Sequence, residues 1–268
     1  MLNKGALSLL SCYESDSSDD EVPGPRVAAK RPYKNDQHEP CPKRLQKLPV
    51  PDICIKNASA NEEYVDDPTS HDGRIRTFLH ERGNWATYIY IPFKGHEAVR
   101  DFISLIKNSV PHIDLKEVDD FHISLTKTVI LRYHWIDTFV NSIKSITSCF
   151  RKFMILFNGI KIYCNEERTR TFIGLQTRTG YDSLLKIAEE LNRSLGEFGL
   201  PPFYKDPSFH MSIAWCVGDF EKELNLILPR LNHQLEELME SYPQDNWYIY
   251  CEYLMCKTGN KYFQFYLT

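Results

Sequence analysis

Two histidines carry the same local signature. His122 lies in Phe-His-Ile-Ser-Leu at residues 121–125, and His210 lies in Phe-His-Met-Ser-Ile at residues 209–213. Imidazole titrates near neutrality, with an ordinary pKa of about 6.5, so two rings in one groove can hold opposite protonation states at one pH. Serine hydroxyls add hydrogen-bond donors. Two imidazoles and two hydroxyls meet the needs of one reaction class, cleavage of an RNA phosphodiester by its own 2′-hydroxyl. That reaction wants a base for the attacking hydroxyl, an acid for the departing 5′-oxygen, and donors where charge develops on the phosphoryl oxygens. The scheme needs no metal. A lone His-x-Ser on a strand would be read as a hydrogen-bonded, partly buried pair; its repetition at matching places is what carries the chemical reading.

The elements that must position these residues follow from hydrophobic periodicity. On a strand, His122 and Ser124 share one face while Phe121, Ile123 and Leu125 share the other, and His210 and Ser212 oppose Phe209, Met211 and Ile213 in the same way. The first unit reads as a strand over 85–92, a helix over 96–110 with Val99, Phe102, Ile103 and Ile106 inward, and a His-bearing strand over 120–131. A helix over 134–150 and a long strand or hairpin over 152–164 follow. The second unit repeats the order: a strand over 170–177, a helix over 181–198 and a His-bearing strand over 207–217. A helical stretch interrupted by Pro229 comes next, then two closing strands around a turn at Gly259 and Asn260. The expected fold class is α+β, with two pseudo-symmetric lobes of antiparallel sheet plus helices and a central groove where the His/Ser pairs converge.

Residues 1–72 read differently. They hold an acidic serine run, Tyr13 to Glu21, and a basic cluster between Arg26 and Lys47, with no sustained apolar period. Such a segment buries too little surface to offset the entropy of ordering and is expected to be a disordered tail, its basic cluster suited to nuclear import or a polyanion. The first apolar run is too short for a membrane span and lacks a signal-peptide cleavage pattern, so a soluble, intracellular protein with no membrane association is expected. Eight cysteines without a C-x-x-C pair argue against structural zinc. Net charge is −4 and mean hydropathy −0.41, so any polyanion must be gripped by a local groove rather than by global attraction.

Two His-x-Ser-aliphatic motifs on a duplicated α+β fold resemble the 2H phosphoesterase superfamily. More closely, RTFLHERGNWATYIYIP (76–92), IYCNEERTRTFIGL (162–175), FYKDPSFHMSIAWCVGD (203–219) and CKTGNKYF (256–263) are similar to the U6 small nuclear RNA phosphodiesterase family. The resemblance covers residues 73–268 and implies a 2H phosphoesterase domain there. It implies a nuclear, monomeric, metal-independent and cofactor-free 3′ to 5′ exoribonuclease. Such an enzyme would trim the oligouridine tail of U6 RNA by transphosphorylation and leave a 2′,3′-cyclic phosphate. The partner would be a single-stranded, uridine-rich RNA 3′ end.

By the same resemblance His122 is the proton acceptor, His210 the proton donor, and Ser124 and Ser212 hold the phosphate. The symmetry of the motifs does not itself decide which histidine is which. The nucleotide would also meet Ile123, Ser208, Phe209 and Met211, a base would stack on Tyr204, and Asn165 and Glu166 would lie near it. Because a carboxylate repels phosphate, Glu166 would accept a hydrogen bond from a base edge or ribose. Lys127, Arg168, Arg170, Lys257 and Lys261 are candidates to line an RNA path, Trp85 and Trp215 to lie in the core, and Asp206 and Pro207 to shape the loop before His210. Two other readings stay open: a 2′,3′-cyclic phosphodiesterase that uses water as nucleophile, and a non-catalytic RNA-binding module. A matched pair of histidines speaks against the second, since binding alone needs neither acid nor base.

Overall fold

The computed structural model describes residues 81–95 and 97–268. The expected tail and the domain start at Gly73 lie outside the described residues. Strand β1 (Asn84–Pro92) leads into helix α1 (Glu97–Ser109), followed by β2 (Lys116–Glu117), β3 (His122–Ser124) and β4 (Val129–Arg132). Helix α2 (Ile136–Thr147) precedes β5 (Phe153–Cys164) and β6 (Arg170–Thr179). Then come α3 (Tyr181–Glu197), β7 (His210–Val217), α4 (Glu221–Ser241), β8 (Tyr248–Cys251), β9 (Tyr253–Thr258) and β10 (Lys261–Tyr266).

The strands form one sheet in the order β10-β9-β1-β3-β7-β6-β5-β8, with β2 beside β7 and β4 beside β1. The two expected lobes are therefore halves of a single antiparallel sheet. The order is symmetric about the β3–β7 junction: β1 flanks β3 as β6 flanks β7, and the helices after β1 and β6 occupy matching places. Helices α1 and α4 pack together on one half and α2 and α3 on the other, with α4 against β5 and α2 against β9 and β10.

Alternation builds the core. Phe121, Ile123 and Leu125, and equally Phe209, Met211 and Ile213, are buried in the hydrophobic cluster beneath the helices. Complete burial of such side chains is worth roughly 1.5–3 kcal/mol each. His122, Ser124, His210 and Ser212, which point the other way, are half-buried on the open face. Among the described residues no helix is long and apolar enough to cross a membrane.

Three local expectations need correction. The strand expected over 120–131 is broken into β3 and β4, both paired with β1 but at opposite ends of it, and Thr126 in the gap accepts the Ile89 N–H through its hydroxyl at 2.9 Å. Pro229 does not interrupt the chain's last helix: α4 runs through it unbroken. A mid-helix proline costs about 3 kcal/mol. Leu224, Leu231 and Leu235, all buried on either side of it, hold the helix together by packing. Trp85 is half-buried at the core's margin, where Lys261 and Tyr133 cover it; Trp215 is buried as expected. The β9–β10 turn comes so close to Trp85 that Gly259, at φ 56°, has no room for a side chain: a Cβ would lie 2.4 Å from the indole.

Candidate functional site

The site forms at the seam between the halves. Strands β3 and β7 run antiparallel with Ile123 opposite Met211. That register puts His122 across from Ser212, and Ser124 across from His210. Directly opposed side chains in such a pair have Cβ atoms about 4.5–5.5 Å apart. Each histidine thus faces the serine of the other motif, and all four groups lie on the face away from Ile123 and Met211. A phosphate laid across the seam would meet one imidazole and one hydroxyl from each half.

Both rings are anchored in the same way. The Nδ1 of His122 lies 2.7 Å from the Asp120 carbonyl oxygen, and the Nδ1 of His210 lies 2.7 Å from the Ser208 carbonyl oxygen. A carbonyl can only accept, so in each ring Nδ1 carries the proton and Nε2 keeps the lone pair. The motif sets the tautomer from its own backbone, two residues back.

Burial holds both imidazoles below their ordinary pKa. For His122 the backbone bond and the Asp120 charge push partly back, while Lys257 adds to the depression. For His210 the Ser208 carbonyl pushes back, and Lys161 and His122 itself depress it further. The charge of His122 thus bears on the titration of His210 across the seam.

The surroundings of the rings differ. His210 stacks on Tyr163, with centroids 3.7 Å apart and planes at 15°. The Tyr163 hydroxyl meets the Ser208 hydroxyl at 2.9 Å, so one tyrosine braces both the ring and the residue whose carbonyl anchors it. Gly174 makes the stack possible: a Cβ there would lie 2.7 Å from His210 Cδ2 and 3.0 Å from Tyr163 Cε2. His122 instead meets Tyr90 edge-on at 5.1 Å and Tyr88 at 5.8 Å.

At the rim, the Lys127 ammonium lies 2.9 Å from the Glu166 carboxylate and 4.3 Å from the centre of the Tyr204 ring. One cation thereby ties together the loop after β3, the β5–β6 turn and the loop before β7. It holds the Glu166 carboxyl below its usual range. Tyr204 stays half-exposed, with Phe203 against its ring at 5.0 Å.

A sequence profile of the HVSL family, described as an uncharacterised conserved protein, matches residues 47–266. The chain belongs to the HVSL family. Among its curated relatives, the mouse protein named U6 snRNA phosphodiesterase 1 is 40% identical over 94% of this chain and 95% of its own. The human protein of the same name is 38% identical over 96% and 97%. This is the kinship that the sequence motifs implied. A solved structure of Kluyveromyces marxianus Usb1 with uridine monophosphate covers 68% of this chain and 98% of its own, at 13% identity and a TM-score of 0.48.

Within this HVSL chain the structure gathers some expected residues and disperses others. His122, Ser124, His210 and Ser212 come together at the seam, with Ser208 against the Tyr163 hydroxyl. Ile123, Phe209 and Met211 are buried on the opposite face, so any contact they make with a ligand runs through backbone groups. Asn165 is committed to its own turn: its carbonyl oxygen accepts from the Thr169 and Arg170 N–H groups, and its amide donates to Glu167 and Thr169. Arg168, at φ 54°, is held between Asp219 and Glu221 at 2.6 and 2.7 Å, so its charge is already largely matched by two carboxylates. Lys261 covers Trp85 and Tyr133 on the helix side of the sheet, which removes it from the candidate RNA path. Lys257 pairs with Tyr88 on the open face and stays on it.

Sequence reasoning missed Tyr163, Gly174, Tyr88 and Tyr90. Only Gly174 left a signal. A glycine in the middle of a strand marks a bulge or a close approach, and the β6–β7 pairing does shift register between Ile173 and Gly174.

Proposed function

We propose that this chain is a 3′ to 5′ exoribonuclease of the nucleus that trims the oligouridine end of U6 small nuclear RNA, acting as a monomer and without a metal. The names of the mouse and human relatives support the substrate. The observation that carries the chemistry is the pair of backbone-anchored imidazoles, each presenting an unprotonated Nε2 beside the other motif's serine. In the productive state His122 is neutral and takes the 2′-hydroxyl proton of the penultimate ribose. The freed oxygen attacks phosphorus, the bond to the terminal 5′-oxygen breaks, and His210, protonated at Nε2, gives that oxygen its proton. The products are a free nucleoside unit and a 2′,3′-cyclic phosphate. Ser124 and Ser212 donate to the non-bridging oxygens, whose charge grows on the way.

Both free-state pKa values are depressed, so the bound phosphate must supply part of the drive to protonate His210. Tyr204, steadied by Lys127, offers a face to the terminal base. Glu166, its charge offset by the same lysine, can accept from that base or ribose without strong repulsion of the phosphate.

The test uses 5′-labelled oligouridine in excess EDTA, with and without a 2′-deoxy sugar at the penultimate position. A one-nucleotide ladder from the 3′ end, stopped by the deoxy sugar and ending in cyclic phosphate, is expected. Removal of the blocked nucleotide at an ordinary rate would mean that water attacks, and internal cuts or a strict need for metal would overturn the reading.

A further inference from the structure

The open face beside His122 does not end at His122. Paired residues in an antiparallel sheet share a face, and the register carries that face outward: Tyr90 lies opposite Ser124, Tyr88 opposite Lys257, and Lys257 opposite Tyr262. The rings are contiguous. Tyr90 meets His122 edge-on, Tyr88 and Tyr90 stack at 5.2 Å, and the Lys257 ammonium sits 5.2 Å from the centre of the Tyr262 ring. Tyr262 is 55% exposed on the edge strand β10. Three inter-strand steps of about 4.8 Å separate β3 from β10, a run of about 14 Å.

We propose that this track of Tyr90, Tyr88, Lys257 and Tyr262 binds the single-stranded RNA that runs 5′ from the scissile phosphate. The inference rests on the exonuclease reading above. That reading fixes the direction. His122 serves the penultimate ribose and His210 the terminal leaving oxygen, so the terminal nucleotide lies over the β7 half and the rest of the chain must leave over the β1–β9–β10 half. The track on that side has the composition a single strand needs. Tyrosine faces stack any base, at about 1–3 kcal/mol each, and a lysine between the rings meets a backbone phosphate. With a net charge of −4, the chain has no general attraction for RNA, so length-dependent grip must come from such a local surface.

The test measures kcat and KM on oligouridines of about two to eight nucleotides for the wild type, Tyr262→Ala, Tyr262→Phe and Tyr250→Ala. Tyr250 is a control, 53% exposed on β8 at the far edge of the other half. In the wild type, KM should fall as nucleotides are added upstream while kcat stays level. Tyr262→Ala should remove about five- to a hundredfold of that length advantage, the equivalent of one lost stacking contact. Tyr262→Phe, which keeps the ring, should retain most of it, and Tyr250→Ala should match the wild type. A wild-type KM independent of length overturns the track, and so does an equal loss in Tyr262→Ala and Tyr250→Ala. Absence of cleavage on every oligouridine would overturn the exonuclease reading itself, and the track with it.

Discussion

The two halves of the sheet present the same backbone and different neighbours. Each histidine is tied through Nδ1 to the carbonyl two residues before it, and each follows a buried phenylalanine. Around that shared frame, His210 is clamped face to face with Tyr163 over a glycine. His122 stands among loosely tilted tyrosines and beside a lysine. The duplicated backbone makes both rings capable of proton transfer; only the unduplicated surroundings can make them do different jobs. A clamped ring suits delivery of a proton along one line to a departing oxygen. A ring met edge-on by Tyr90, with no partner stacked on its face, leaves room for an incoming ribose and suits a base.

The sharpest way to break this comparison is to remove each ring in turn. His122→Ala and His210→Ala should each lower kcat by roughly 10²–10⁴-fold, and the double variant should be far less than multiplicatively worse, because the two act as a unit. The leaving group then separates the roles. On a uridine 3′-phosphate ester of 4-nitrophenol, whose departing oxygen needs no proton, His210→Ala should regain most of its loss and His122→Ala should not. Rescue of His122→Ala instead would exchange the assignments.

Gly174→Ala tests the clamp. Its Cβ would collide with both stacked rings, and a displacement of about 1 Å at a reacting group can cost on the order of 10²-fold. The fall should appear in kcat, while the variant keeps its thermal midpoint within a few degrees. Tyr90→Leu on the other half, where contact is edge-on, should cost several-fold less. Equal effects would erase the distinction between a clamped and an open ring.

Much of this arrangement was legible in the sequence, and the limits have physical causes. Strand alternation placed the histidines and serines on one face because a period of two leaves little freedom, and repetition of the unit pointed to the symmetric sheet. The continuity of that sheet was not legible. It depends on Ile123 meeting Met211, a contact between residues far apart in the chain for which no local pattern exists. The structural work of Asn165 and Arg168 was not legible for a related reason: both sit in a turn beside expected ligand residues, and the turn draws on their hydrogen bonds for its own shape. Pro229 misled because propensity is local, while the leucines that hold α4 act through tertiary packing.

A smaller effect concerns the rim. Lys127→Ala should free the Glu166 carboxylate, raise its pKa toward the ordinary value and unsettle Tyr204, increasing KM for short oligouridines by a few-fold to about tenfold. Glu166→Gln in that background should recover part of the loss, since it removes the charge that Lys127 had offset. No recovery would assign the lysine to the phosphate instead.

The finest discrimination comes from pH. Both free rings titrate below about 6.5, so the bell of kcat/KM should lie on the acid side of neutrality: its acid limb marks protonation of the base, its alkaline limb loss of the acid's proton. Bound phosphate favours the charged rings, so the kcat profile should shift toward higher pH. Coincident profiles would show that the ligand leaves the rings unaffected. The same depression links to stability. The unfolded chain binds protons that the folded rings resist, so stability is fully present above about pH 6.5 and is lost as pH falls through the folded values. The urea midpoint should decline from about pH 7 to pH 5, and less so in the double alanine variant.

The seam between β3 and β7 carries one further implication, for heat. Among the described residues β3 meets β7 at a single pair, Ile123 and Met211, and β2 adds two more pairs further along β7, whereas β5 and β6 are joined along most of their length. The shortest strand pairing in the sheet is thus the one that brings the two histidines together. Warming should loosen that join before it melts either half, so turnover should fail at a lower temperature than circular dichroism reports for the fold. The protein would carry its own thermal fuse, set by the few paired residues that hold the His/Ser face together from behind.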